Sequence, residues 1–218
     1  MTYKQQPHNT PFWPPEFTFK WPAGDRMLAG DIQSIHDLDN VIFPMVPHKG
    51  VCIQAGGAMG MWAKRLAQVF GRVYTFEPTP QSFHCLNVNC PEENIIKMQA
   101  ALGNKPCLVK MAYHEKPDNY GAYMAHPGGI IPTLTIDCLD LDQLDLLMLD
   151  IEGHELWALQ GAANTIDKFK PVIVVEDKLP CLVKVGLKPG AVQQYLKDRH
   201  NYRTFERFHN NRDMICTP

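Results

Sequence analysis

Gly50 to Gly60, GVCIQAGGAMG, begins as a short apolar run (Gly50 to Ala55) that is stopped by Gly56 and Gly57. From Met59 to Phe70 the apolar residues Met59, Trp62, Ala63, Leu66, Ala67 and Phe70 recur at helical spacing. Strand, glycine turn and helix therefore follow one another. The alternation continues: Arg72 to Phe76 reads as a second strand closed by Glu77 and Pro78, Pro80 to Asn89 as a helix, and Asn94 to Leu102 as a third strand. Two consecutive strand–helix–strand units form a parallel sheet with right-handed crossovers and helices on its faces.

Further on, Pro106 to Ile136 reads as strands and loops broken by Asn119, Gly121, Gly128 and Gly129. Leu144 to Ile151 is almost continuously apolar and fits a buried central strand. Glu155 to Phe169 predicts a helix, Pro171 to Val175 a buried strand ended by Glu176, and Ala191 to Arg199 a helix. Two strands, near Tyr202 to Phe208 and Met214 to Thr217, suggest an antiparallel hairpin at the edge of a largely parallel α/β sheet. Residues 1–48 differ in kind. Pro7, Pro11, Pro14, Pro15 and Pro22, interleaved with Phe12, Trp13, Phe17, Phe19 and Trp21, forbid long helices and central strands. This segment is expected to be an arm with a short helix near Asp31, where Ile32, Ile35 and Leu38 share a face, packed on a domain spanning 49–218. As an alternative it forms a lid or a homo-oligomer contact.

Composition narrows the function. Of the 218 residues 45% are hydrophobic and 20% charged, which describes one ordinary globular domain and excludes disorder or coiled coil for the whole. A formal charge of −2 disfavours broad binding to nucleic acid or an acidic membrane. No run of about 18 apolar residues occurs, and Met1 to Thr10 lacks the basic start and apolar stretch of a secretory signal, so a soluble, cytoplasmic protein is expected. Seven cysteines without a CxxC pair argue against a zinc ribbon or a complete disulfide framework. His84, His114 and His126 have no ligand-like spacing, so no metal is expected; Asp150, Glu152 and Glu176 could hold Mg²⁺ through oxygen, a reading that is not favoured.

Ligands of doubly wound sheets bind at the carboxyl ends of the strands. There the glycine turn allows close approach to the backbone, and Glu77, 21 residues after Gly56, stands where such a site places its acceptor for ribose hydroxyls. Together these favour an adenosine-containing ligand. The dinucleotide frame at 55, 57 and 60 reads Ala, Gly, Gly, and the S-adenosylmethionine frame at 54, 56, 58 and 60 reads Gln, Gly, Ala, Gly; neither is complete. A second cluster bears on the choice. Residues 137–155 contain seven acidic side chains and no Lys or Arg. Asp150 and Glu152 emerge from the buried strand on the ligand side, where a carboxylate attracts a sulfonium or takes a proton from an attacking hydroxyl. Asp137 to Asp145 read as a solvated loop and helix cap.

Phe76-Glu77-Pro78, Ala100-Ala101-Leu102-Gly103-Asn104, Asp145 to Glu155 (DLLMLDIEGHE) and Pro171 to Glu176 together resemble the FkbM family of S-adenosylmethionine-dependent methyltransferases, over roughly Gly50 to Asp177. The resemblance, which extends to phage-borne members, implies a Rossmann-like class I methyltransferase fold of seven strands, methylation of oxygen on a small molecule or glycan, and, for a phage protein, the host cytoplasm. It places Gly56 and Gly60, with Gln54 and Gly57, at the methionine part of S-adenosylmethionine. Glu77 and Pro78 fall at the ribose, Ala100 and Ala101 at the adenine edge, and Asp150 and Glu152 at the reactive centre, with Glu176 as a third candidate base. Gln54, Ala58 and Met148 stand where the family usually has an acidic residue, Asn and Lys. A noncatalytic binding or assembly module on the same fold is the competing reading. Lys184, Lys188, Lys197, Arg199, Arg203, Arg207 and Arg212, against Asp198 and Glu206, form a basic stretch that reads as a solvated face or as a dock for a phosphorylated substrate.

Overall fold

The computed structural model describes residues 2–8, 10–25, 34–113 and 123–218. Its centre is a seven-stranded sheet made of β3 (Val51–Ala55), β4 (Arg72–Phe76), β5 (Ile95–Met98), β10 (Leu146–Leu149), β11 (Val172–Glu176), β12 (Thr204–Phe208) and β13 (Asp213–Thr217), in the order β12-β13-β11-β10-β3-β4-β5. β5, β4, β3, β10 and β11 are parallel, while β13 runs antiparallel to β11 and to β12. The expected parallel sheet with an antiparallel C-terminal hairpin is thus present. Alternate residues of the buried strands feed two cores. Ile53, Leu147, Leu149, Ile173 and Val175 enter one, with Leu159 and Ile166 from α4 (Glu155–Gln160) and α5 (Ala163–Phe169) and Leu196 from α7 (Ala191–His200). Cys52, Leu146, Met148, Val172 and Val174 enter the other, with Leu38 and Ile42 from the helical stretch α1 (34–45) and Ala63 and Leu66 from α2 (Met61–Ala67). Burial on both faces explains why these strands read as continuous apolar runs.

Three elements differ from the sequence expectation. The run Asn94 to Leu102 is not one strand: β5 ends at Met98, and β6 (Ala101–Leu102) joins a separate four-stranded sheet with β7 (Cys107–Tyr113), β8 (Tyr123–Pro127) and β9 (Ile131–Leu134). The reason lies on the neighbouring strand: Glu77 N–H makes the last bond of this edge, to Met98 O, and the next amide on the same side, that of Thr79, turns back to the Glu77 carboxylate instead. The helix expected over Glu155 to Phe169 is two, parted at Gly161, where a Cβ would stand 2.0 Å from the carbonyl oxygen of Gly103. A short helix, α6 (Leu179–Lys184), follows β11 without having been expected.

At the N-terminus β1 (Tyr3–Pro7) and β2 (Thr18–Pro22) form an antiparallel hairpin. Phe19 and Trp21 are buried with Trp13, Ile35, Met59, Met61 and Cys85. The Asn89 side chain, at the end of α3 (Pro80–Asn89), imitates a strand by bonding both the N–H and the carbonyl of Lys20. Asp31 and Ile32, where a helix start was expected, lie outside the described residues.

Two acids read as solvated do structural work. Asp137 accepts from the amides of Asn164 and Thr165 and so caps α5 from a distance. Asp145 accepts from the amides of Gly50 (2.8 Å) and Val51 (2.9 Å), while its own N–H and carbonyl bond Val51 and Val172, tying three strands at their entry. Asp145→Ala strands the two amides. Charge-assisted bonds are worth about 1.5–3 kcal/mol each, so the loss of two is expected to show in urea unfolding as about 3–6 kcal/mol, with a smaller loss for Asp145→Asn.

Candidate functional site

At the carboxyl ends of β3, β4 and β10 lies a cleft of about 510 Å³, its open mouth included. Of the residues singled out in the sequence, it is lined by Gly56, Glu77, Pro78, Ala100, Ala101, Asp150 and Glu152. Gly56 adopts φ +86°, and a Cβ there would stand 2.0 Å from the backbone oxygen of Asp150, so only glycine lets the tips of β3 and β10 come this close. Glu77 is 6% exposed. Its Oε2 accepts from the amide of Ala58 (2.8 Å) and its Oε1 from that of Thr79 (2.7 Å). Each oxygen keeps a further lone pair for a hydroxyl donor. Burial, only partly offset by these bonds, raises its pKa to about 7.

Gln54, Gly57 and Gly60 do not line the cleft. Gln54 is fully buried; its Nε2 donates to Gly56 O (2.8 Å) and its Oε1 accepts from Thr75 Oγ1 (2.7 Å), so it braces the turn from beneath. Gly57 and Gly60 pack under α3, against Leu86 and Cys90. The loop amides are also engaged: those of Gly56 and Gly57 both donate to Phe76 O, and that of Gly60 to Gly57 O. The turn therefore offers shape rather than donors. Ala58 is held at φ +43°, a conformation costing a side chain with a Cβ about 1–2 kcal/mol.

Beyond Asp150 the carboxylates gather. Glu152, at φ +55°, accepts from Cys181 Sγ (3.2 Å) and lies 3.8 Å from Lys178 Nζ. Glu176 does not reach the cleft. Its Oε1 meets Lys178 Nζ at 3.0 Å and Arg212 Nε at 3.2 Å, and Arg212 also lies 3.6 Å from Asp150. Burial, then the charges of Asp150 and Glu152, push Glu176 up to about 10. For Lys178 burial pulls the ammonium down, and Glu176 and Glu152 more than reverse it. Ligand atoms of Glu152, Glu176 and Cys181 lie within 4.8 Å of one another, a donor set for a cation in which Lys178 already supplies positive charge. Asp150 is not part of that group.

Sequence reasoning missed Phe76, Leu102, Met111, Tyr123, Ala125 and His154 in the cleft wall, and the two cations Lys178 and Arg212. Met111, Tyr123 and Ala125 come from β7 and β8 of the small sheet, strands that carry no motif. His154, at the N-cap of α4, also lines the cleft, and burial lowers its pKa to about 4. Within the basic stretch, Arg199 pairs with Asp167, Arg207 with Asp177 and Arg212 with the acids above, so much of its charge is already matched.

The cleft suits S-adenosylmethionine. Its apolar side, with Phe76, Ala100, Leu102 and Met111, fits a flat base, Glu77 has lone pairs for two ribose hydroxyls, and Asp150 and Glu152 put negative charge where a sulfonium would lie. The chain's own fold carries a cost beside it. Glu155, fully buried, accepts from the amides of Ile151 (2.9 Å) and Gly153 (3.3 Å), yet burial raises its pKa to about 8. A folded-state pKa above the ordinary 4.5 means the folded protein binds the extra proton, so ionisation costs stability as pH climbs from about 4.5 to about 8. Glu155→Gln, which keeps an acceptor oxygen, is expected to melt about 3 °C or more above the parent at pH 9, with a smaller gap at pH 5 in the same scanning calorimetry.

The crystal structure of an FkbM methyltransferase from Methylobacillus flagellatus KT superposes with a TM-score of 0.55 at 16% identity, over 82% of this chain and 46% of that one. A precorrin-6y C5,15-methyltransferase from Geobacter metallireducens GS-15 gives a TM-score of 0.48 at 14% identity, over 86% of this chain and 87% of that one. At 16% identity the likeness to the first is one of fold, the class I methyltransferase fold, and this chain spans less than half the length of that protein. No curated protein matches the sequence. The methyltransferase FkbM domain matches residues 61–204, starting just beyond the loop that holds Gln54 and Ala58. With that stretch covering most of its length, the chain belongs to the FkbM methyltransferase family.

Proposed function

We propose that the protein transfers a methyl group from S-adenosylmethionine to a hydroxyl oxygen of a glycan or other small molecule. The observation that carries this reading is Glu77, a nearly buried carboxylate held at the rim of the cleft by two backbone amides with lone pairs to spare. When bound, S-adenosylmethionine supplies an activated methyl group on a positively charged sulfur. The chain supplies place and field. Glu77 orients the ribose, and Ala100 and Ala101 leave room at the adenine edge. Asp150 and Glu152 face the sulfonium, and the low-dielectric wall strengthens their attraction to it. Holding donor and acceptor in line, with water excluded, accounts for most of the rate such a site can give. A compact acceptor is favoured over nucleic acid by the net charge of −2 and by the pairing of Arg199, Arg207 and Arg212 with acids.

Isothermal calorimetry with S-adenosylmethionine and S-adenosylhomocysteine tests the reading; binding of neither would leave a noncatalytic module. The sign of the pH effect follows from Glu77. Only its ionised form accepts from both ribose hydroxyls, and its pKa near 7 means that affinity rises from pH 6 to pH 8, approaching about tenfold. Glu77→Gln is expected to weaken binding by about tenfold or more and to abolish that pH dependence. In turnover with methyl-labelled donor, Asp150→Asn and Glu152→Gln should lower the rate by about tenfold or more while changing donor affinity much less. Full activity in both variants removes these carboxylates from the reacting centre.

A further inference from the structure

The amide of Ala58 reaches Glu77 from a strained backbone, with Ala58 at φ +43°. Its neighbours must hold it there. The next residue, Met59, is 2% exposed, and its carbonyl accepts from Asn89 Nδ2 at 2.7 Å. The same side chain grips the N-terminal arm: Asn89 Nδ2 also donates to Lys20 O (2.9 Å), and Asn89 Oδ1 accepts from Lys20 N–H (2.6 Å). We propose that Asn89 is a positioning residue through which the N-terminal arm holds the loop that presents the Ala58 amide to Glu77. The arm is then part of the donor site, although none of its described residues lines the cleft. The inference rests on reading the cleft as the methyl-donor site and goes beyond it by giving the arm a role in donor binding.

Three observations carry it. Asn89 is buried and fully committed: a side-chain amide has two N–H donors, and here one serves the arm and the other the loop. Without it, the Lys20 amide and two carbonyls lose these partners in a buried place, which the fold resists. The second observation is the grip beside it. Cys90 Sγ donates to Gly60 O at 3.2 Å, and a Cβ on Gly60, at φ +92°, would stand 2.5 Å from that sulfur. The carbonyls of Met59 and Gly60 are thus both drawn to the end of α3, while Gly60 N–H closes the turn on Gly57 O and Ala58 N–H is left for Glu77.

The third is packing. Met59 and Met61, on either side of Gly60, are buried in one cluster with Trp13, Phe19 and Trp21 of the arm, and Ala58 packs against that cluster. A loop released from Asn89 relaxes toward ordinary backbone angles at Ala58 and takes its amide away from Glu77. Burial raises the Glu77 carboxyl, and bonds from Thr79 and Ala58 oppose the rise; no charged side chain among the described residues enters that balance. Losing the share of Ala58 leaves the carboxyl harder to ionise and less firmly aimed at the ribose. Coupling of this kind is reciprocal, so donor bound in the cleft tightens the arm in turn.

Hydrogen exchange followed by NMR on the ligand-free, full-length protein tests the link without the donor. In Asn89→Ala the Ala58 amide is expected to exchange about tenfold faster than in the parent, with a smaller change at Thr79; unaltered exchange at Ala58 overturns the proposal. In calorimetry, the midpoint of the rise of S-adenosylhomocysteine affinity with pH should move up by about half a unit in Asn89→Ala, and affinity at pH 7 should fall about fivefold. Asp145→Asn, which weakens the sheet where the strands enter it, controls for mere destabilisation and should leave the midpoint in place. An unmoved midpoint in Asn89→Ala, or an equal shift in the control, also overturns the proposal. Should Asn89→Ala not fold, the parent decides: S-adenosylhomocysteine should slow exchange of the Lys20 amide about threefold or more, and a Lys20 amide indifferent to it overturns the link. Failure of the parent to bind S-adenosylhomocysteine at all sinks the donor-site reading instead, and ligand-free exchange at Ala58 still decides this one.

Discussion

The tips of β3 and β10 approach so closely that only glycine fits at position 56, and the rest of the site depends on that approach. Asp150 N–H bonds Ala55 O, and the next residue, Gly56, comes so near Asp150 O that a Cβ would lie 2.0 Å away. Pinned there, the chain after β3 must turn under Phe76 O, which takes both loop amides, while Gln54 and Thr75 brace the turn from inside. The turn in turn delivers the amide of Ala58 to Glu77. One steric requirement thus fixes the placement of the Glu77 carboxylate, the opening of the cleft, and Asp150, which lines both the cleft and a second, smaller cavity.

Charge is the second organising feature. Asp150, Glu152, Glu155, Glu176 and Asp213 crowd around the ends of β10 and β11 and the start of β13, and their mutual repulsion with burial holds several of them protonated more readily than free carboxylates. Lys178 and Arg212 counter them from two different elements, the start of α6 and the tip of the C-terminal hairpin. Breaking a buried pair of this kind is far more damaging than never having made it. The hairpin tip, with His209, Asn210 and Asn211 all at positive φ, is therefore tied to the chemistry it covers: it carries the cation that orients Glu176.

Much of this was legible in the sequence, for identifiable reasons. Fully buried parallel strands write themselves as apolar runs, and Glu77 and Asp150 stand at strand ends where their position follows from the strand alone. What was not legible depends on long-range geometry. Glu176 ends its strand as Glu77 does, yet it lines a different cavity, and its partners Lys178 and Arg212 come from the start of α6 and from 36 residues later in the chain. Gln54 has the residue type of a ligand contact and faces inward to Thr75. The small sheet that walls the cleft has short strands, β6 among them, with no periodicity long enough to announce which sheet they join.

The most direct measurement is a crystal structure with S-adenosylhomocysteine bound. The account predicts both ribose hydroxyls on the Glu77 carboxylate, the base against Ala100 and Ala101, and the sulfur turned toward Asp150. A nucleoside bound elsewhere, or in the cleft with Glu77 still bonded only to the amides of Ala58 and Thr79, would contradict it.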